Sequence, residues 1–195
     1  ILNEQTTTNM MSKGTVYRFD GVDDVITIPN TAANDLGAVD FYVHSKFSLT
    51  SHVATGIGAG LVMKGTLGDS WGLELTGTGG VTIVTAGIRG SAVKVLASSA
   101  LSLGVEYDVL FVHDLDGTSS LYINGILDVS GDLSGAGYTP TAEAILVGTS
   151  TFSGTVTFAN MAVAHIGLGN FAPTAAQIKN LISGNLDFKW QYGSQ

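Results

Sequence analysis

The acidic side chains form one dense group. Asp20, Asp23 and Asp24 fall within five positions of "FDGVDDVITIP" (residues 19–29) and make up three of the chain's twelve aspartates. Such carboxylates suit a hard cation such as calcium, which takes roughly six to eight oxygen ligands. An EF-hand loop needs acids at alternating positions and a glutamate at its twelfth, but the twelfth residue counted from Asp20 is Thr31. The preferred reading is a turn at Asp20-Gly21, with Asp23 and Asp24 accepting hydrogen bonds from nearby backbone before a strand begins. No metal or other cofactor is therefore expected, and a structural calcium ion stands as the disfavoured alternative.

Paired carboxylates could also hydrolyse a glycoside, which needs an acid and a nucleophile roughly 5 Å apart. Residues at i and i+2 of a strand supply that spacing. Glu106-x-Asp108 begins such a pattern, but Leu110 and Phe111 follow where a second glutamate would stand. Both acids are expected to face solvent. The histidines, His44, His52, His113 and His165, show no HxH or HExxH spacing. His113 beside Asp114 and Asp116 could be held protonated by those acids; a loop histidine beside a turn is the simpler reading. No Gly-x-Ser-x-Gly elbow occurs, and "GIGAG" (56–60) lacks the Lys-Ser/Thr of a phosphate loop.

Sugar binding needs an exposed ring for the apolar face of a pyranose and a few polar groups for its hydroxyls. Trp71, preceded by Gly68-Asp69-Ser70, and Tyr138, in "SGAGYTP", sit in such polar, glycine-rich company. Asn124 and Asp116 are expected to share the same rim with Asp69. Packing of Trp71 inside the fold is the competing reading.

The elements that would carry these residues are strands. "FYVHSKFSLT" (41–50) puts Phe41, Val43, Phe47 and Leu49 on one face and Tyr42, His44, Lys46 and Ser48 on the other, with Ser45 alone breaking the apolar side. "VITIP", "GLVMKG", "WGLELTG", "VTIVTAGI", "AVKVLAS", "YDVLFVHD", "SLYING", "AILVGTS" and "TVTFANMAVAHIG" continue the series, giving roughly ten to thirteen short strands separated by Gly-containing turns. Asn124-Gly125 between apolar runs predicts a two-residue type I′ hairpin. "PTAAQIKNLISG" predicts one helix, with a Thr174–Gln177 capping box, apolar Ile178, Leu181 and Ile182, and Gly184 to stop it. That helix is expected to cover a rim of an all-β, two-sheet antiparallel jelly-roll sandwich.

A length of 195 residues suits one domain, and the chain has 26 Gly, no Cys and only 12% charged residues. A net charge of −8 disfavours nucleic acid and anionic membrane surfaces. Thiol catalysis and thiolate zinc sites are excluded, and no apolar run reaches the roughly 18 residues of a spanning helix. No signal peptide is visible at Ile1, and a mature or excised segment of something longer is the expectation.

"YRFDGVDDVITIP", "GLVMKG" with "WGLEL", "GVEYDVLFVHDLDGTSSLYINGILD", "AILVGTSTFSGTVTFANMAVAHIG" and "PTAAQIKNLISG", in that order, resemble the concanavalin A-like lectin and glucanase superfamily. Within it, the laminin-G and pentraxin-like branch found in bacteriophage virion proteins is most similar. The resemblance runs from about Thr15 to Gly184 and implies two curved sheets, glycan binding and, in many members, calcium. Val105-Glu106-Tyr107-Asp108 stands where relatives often have Trp-His-His. Phe158-Ala159-Asn160-Met161 replaces an Ile-Asp-Glu-Val run, removing an acid that would help hold calcium. The tail "NLDFKWQYGSQ" is similar to joints in phage tail proteins.

The expected organisation is a lead-in segment (1–14), the sandwich (15–184) and a tail or joint (185–195). The expected role is non-enzymatic: a virion structural or adhesive domain, on a tail fibre, receptor-binding protein or capsid decoration. It would bind glycans or other virion proteins, as a homo-oligomer, on a virion or in an extracellular setting. A carbohydrate-binding module of a secreted bacterial protein is the alternative, and a β-glucan hydrolase a more distant third.

Overall fold

The computed structural model describes residues 16–31, 34, 36, 38–66, 68–139, 141–150 and 157–182. The lead-in 1–14, Gly184 and the tail 185–195 lie outside the described residues. Among the described residues, the strands are β1 (Tyr17–Asp20), β2 (Ile26–Ile28), β3 (Phe41–Leu49), β4 (Gly58–Thr66), β5 (Asp69–Thr78), β6 (Val81–Arg89) and β7 (Val93–Leu101). They continue as β8 (Glu106–His113), β9 (Thr118–Ile123), β10 (Ile126–Asp132), β11 (Ile145–Val147), β12 (Thr149–Ser150), β13 (Thr157–Phe158) and β14 (Asn160–Gly169), followed by the helix α1 (Ala175–Ile182).

Two six-stranded sheets form the sandwich. The first runs β1-β14-β3-β8-β9-β10, the second β2-β11-β4-β5-β6-β7, and β12-β13 make a small ribbon. Every pairing between these strands is antiparallel. Alternation builds the core: Phe41, Val43, Phe47, Leu49, Val109 and Phe111 from the first sheet meet Trp71, Leu73, Leu75, Val84, Ala86 and Ile88 from the second. Apolar area withdrawn from water in this layer is the main stabilising term. Ser45, the polar residue on the apolar face of β3, is fully buried and donates from Oγ to the His165 carbonyl. At β10, Asp128 lies at a bulge between Leu127 and Val129 and accepts from the Ser99 backbone N–H and hydroxyl, tying the edges of the two sheets together.

The Asn124-Gly125 hairpin forms as expected, with φ of 52° and 82° and Ile123 paired to Ile126. Asn124 also accepts the Asp108 N–H on Oδ1, at 2.9 Å. Gly60 has a separate cause. A Cβ there would lie 1.9 Å from the Thr149 carbonyl oxygen, so only glycine lets β12 lie against β4.

Two expectations are corrected. Helix α1 begins at the predicted box, where Thr174 N–H donates to Gln177 Oε1 at 2.8 Å. It covers the outer face of the first sheet rather than a rim, packing Leu181, Ile178 and Ile182 on Tyr42, Leu110, Val112 and Tyr122. For the same reason β3, whose alternation suggests a half-buried strand, is buried on both faces. Both its faces lose water through Tyr42 and His44, because the helix and a polar cluster cover the outer side.

Candidate functional site

Loops from both sheets gather at one end of the sandwich. The ring of Phe41, the first residue of β3, touches Trp71 near the start of β5 (5.2 Å between centroids) and His113 at the end of β8 (5.2 Å). Segments entering β3 and β5 and leaving β8 therefore emerge together, bringing Asp40, Asp69, Asp114 and Asp116 to one end. Asp40 Oδ1 accepts the Leu115 N–H at 2.9 Å, and Asp114 Oδ1 accepts the Asp116 N–H at 3.2 Å.

The loop after β10 is pinned across the second sheet's side of this end. Its Thr139 N–H donates to Asp69 Oδ1 at 3.0 Å, and Ser91 Oγ donates to the Ala136 carbonyl at 3.2 Å. The Ser134 side chain first, and then its N–H at 2.8 Å, donate to the Asp132 carboxylate and hold that acid below its ordinary range. Tyr138 sits on this loop half-buried, its ring packed against the main core. Asp69 and Tyr138 are thus brought together, with Asp116 on the first sheet's side of the same end.

Two predicted site residues fall elsewhere. Trp71 is fully buried in the core, so its ring offers no face to a sugar. It shares the inward parity of Leu73 and Leu75 on β5, and that parity overrides its polar neighbours. Asn124 lies at the opposite end, beside the start of β8, where its side chain is spent on the Asp108 N–H. It does not share a rim with Asp116: Asp108 and His113 are separated by most of β8, roughly 17 Å at strand rise. His113 is also corrected. It closes β8 as a buried residue, with Nδ1 2.9 Å from Ser119 Oγ. Burial pushes its pKa down, outweighing the opposing pull of Asp40 and Asp114.

A second polar group, which no sequence motif announces, occupies the outer face of the first sheet. His44 Nε2 donates to Asp108 Oδ1 at 2.7 Å, and Lys46 Nζ to Asp108 Oδ2 at 3.0 Å. The His165 ring lies 4.8 Å from that of His44. Burial alone would raise the Asp108 carboxyl, but the hydrogen bonds and charges of His44 and Lys46 prevail and hold it below the usual carboxylate range. Burial, aided by nearby His44 and Lys46, pushes His165 down to about 4. Register alone joins these residues, since His44 pairs with Leu110 and Lys46 with Asp108. Glu106 is exposed, so the pair Glu106-x-Asp108 has one member in solvent and one already spoken for.

On the second sheet Glu74 is buried under the β12–β13 ribbon, accepting from Ser150 Oγ at 3.1 Å with Arg89 Nη2 at 3.8 Å. Burial raises its pKa, and Ser150 and Arg89 oppose the rise. Lys64, wholly buried, donates to the carbonyls of Glu143 (2.9 Å) and Thr141 (3.2 Å) and to Asn30 Oδ1, anchoring loops around β11.

The acidic opening segment forms a turn. Asp20 Oδ1 accepts the Val22 N–H at 2.8 Å and Asp24 Oδ2 the Asp20 N–H at 2.9 Å. One oxygen of each of Asp20, Asp23 and Asp24 lies within 4.8 Å of the others, the one such acidic group among the described residues. The fit to calcium is incomplete. Two carboxylate oxygens already serve backbone amides, and Asn160, paired with Asp20, supplies a neutral side chain where the resemblance places an acid. These acids shape the chain's entry into β2 and are assigned no metal.

No family model and no curated protein matches this chain. Solved structures do. A Trypanosoma rangeli sialidase in complex with 2,3-difluorosialic acid aligns at TM-score 0.62 and 16% identity, over 87% of this chain and 27% of the sialidase. A botulinum neurotoxin type C, whose cell entry depends on interaction with two ganglioside molecules, aligns at 0.66 and 10%, over 90% of this chain and 45% of that one. A heptameric SAP-like pentraxin from Limulus polyphemus aligns at 0.63 and 15%, over 87% and 82%. This chain thus spans less than half of the sialidase and toxin chains, and most of the pentraxin. These are jelly-roll, concanavalin-like folds, and identities this low establish the fold alone.

Proposed function

We propose that this chain is a non-enzymatic glycan-binding domain that takes neutral sugars at the end of the sandwich where Asp69 meets Tyr138. The observation that carries the reading is a half-buried tyrosine on a pinned loop whose next residue, Thr139, donates its N–H to one oxygen of the Asp69 carboxylate. An apolar platform flanked by a few fixed polar groups is the usual composition of a sugar site. Fold likeness to a ganglioside-dependent toxin and a sialic acid-bound sialidase supports the class. Charge narrows it. Asp40, Asp69, Asp114 and Asp116 crowd this end of a chain with net charge −8, so sialylated or sulfated glycans are repelled and neutral or amino sugars favoured.

The non-enzymatic reading is supported by the engagement of Asp108 by His44 and Lys46, and of Glu74 by Ser150 and Arg89. The setting, a virion or other extracellular structure in which the domain also packs against partner proteins, rests on sequence resemblance alone. A glycan array tests the reading. Binding to neutral glycans, reduced at least tenfold by Tyr138→Ala and by Asp69→Ala, is expected. Binding only to sialylated glycans, or binding unchanged by both substitutions, overturns it.

A further inference from the structure

Lys64 on β4 is wholly buried, and its register partners on either side, Trp71 of β5 and Ile145 of β11, both belong to the core. Lysine is rarely found so deep in a fold. Its Nζ is held at three points: the Glu143 carbonyl at 2.9 Å, the Thr141 carbonyl at 3.2 Å and the Asn30 side-chain oxygen at 2.5 Å. The last contact is closer than the roughly 2.7–3.2 Å of an ordinary N–H···O bond.

Asn30 is held as firmly as the lysine. Buried Asn34 donates from Nδ2 to the Pro29 carbonyl at 2.9 Å and accepts the Thr31 N–H on Oδ1 at 3.0 Å. One side chain thus fixes the backbone on both sides of Asn30. An amine and an amide carbon kept side by side in this way meet the main requirement of an intramolecular reaction. The same group contains the buried Thr141 hydroxyl, which has no hydrogen-bond partner although the carbonyl of that residue accepts from Lys64. A buried polar atom in that state calls for a role. The location also matters for the fold. β2 and β11 are three-residue strands, β2 is the edge of its sheet, and the chain has no cysteine with which to secure it.

We propose that Lys64 and Asn30 join in an isopeptide bond that the chain forms by itself. The unprotonated Lys64 amine attacks Cγ of Asn30, and the new Nζ–Cγ bond replaces the Cγ–Nδ2 bond. One proton leaves Nζ, passes through the Thr141 hydroxyl to Nδ2, and ammonia departs. Nothing is oxidised or reduced, and no co-reactant enters. Escape of ammonia into solvent makes the step irreversible. The product nitrogen is uncharged and keeps one N–H for the Glu143 carbonyl. The segment leaving β2 is then tied covalently to β4 across β11. This bond stands apart from the sugar site and does not depend on it.

The mass of the purified full chain tests the proposal. It should fall below the sequence mass by one ammonia, and protease digestion should release a branched peptide joining Asn30 to Lys64. Asn30→Ala and Lys64→Met should each keep their full sequence mass. The wild-type mass and the branched peptide need neither variant, so a variant that fails to fold leaves the test intact. In newly synthesised protein, Thr141→Val should close the bond roughly a hundredfold more slowly; closure at the wild-type rate overturns the relay. A wild-type mass equal to the sequence mass overturns the proposal. So does an ammonia loss that maps to Asn124-Gly125 as a succinimide and disappears in Asn124→Ala.

Discussion

Trp71 and Tyr138 stand at the same end of the sandwich, both in glycine- and serine-rich surroundings, and have opposite fates. Trp71 is the third residue of β5 and points inward with Leu73 and Leu75; Tyr138 sits on a loop fastened by Asp69 and Ser91 and stays partly exposed. Flanking composition does not decide whether a ring can meet a ligand. Strand parity does, and "WGLEL" carries that information, since Gly72 and Glu74 alternate against three large apolar residues.

The contrast can be broken most forcefully by truncating the two rings. Trp71→Ala should cost about 3–5 kcal/mol of stability in urea unfolding, as an aromatic lost from a packed core does. Tyr138→Ala, half-exposed, should cost about 1 kcal/mol. Equal costs would mean both rings serve packing alone.

Next in size is the outer-face cluster. Asp108→Ala leaves His44 and Lys46 without their acceptor and should cost about 2 kcal/mol without altering sugar binding. An effect on binding instead of stability would move the site to that face. The same cluster sets a pH dependence. His165 titrates near 4 when folded and at 6.5 in the unfolded chain, so the unfolded state binds more protons between those values. Stability should therefore fall as pH drops from 6.5 towards 4, and His165→Gln should flatten that slope. The Asp108 contribution, present above the ordinary aspartate value, should be lost at still lower pH as its depressed folded pKa is passed. A profile unchanged in His165→Gln would contradict the burial of His165 beside His44 and Lys46.

The smallest effect is expected at the opening acids. Asp23→Ala, which spares the hydrogen bonds that Asp20 and Asp24 make to backbone, should change stability by less than about 0.5 kcal/mol. Chelator should leave the melting temperature unmoved. A clear drop with chelator would make the turn a cation site after all.

Local chemistry accounts for what is legible in the sequence. The two-sheet sandwich, the Asn124-Gly125 hairpin, the capped helix and the Asp20 turn each depend on residues a few positions apart. The placement of the helix and the joining of His44, Lys46 and Asp108 depend on β3–β8 register across some sixty residues, which no local pattern encodes. The same holds for Asn124. Its neighbours mark it as a turn residue, but the end of the sandwich on which that turn falls follows from strand order alone. For Asp69 and Tyr138, polar loops around a ring are a usable sign, while the hydrogen bond that unites their loops has no local signature.

The most direct test is a titration followed by backbone amide resonances, with the neutral glycan that binds best on the array. Shifts should concentrate at residues 69, 90–91, 134–139 and 114–117 and vanish in Tyr138→Ala. Shifts centred instead on residues 44–46, 108 and 165, or spread over α1, would contradict the placement of the sugar site.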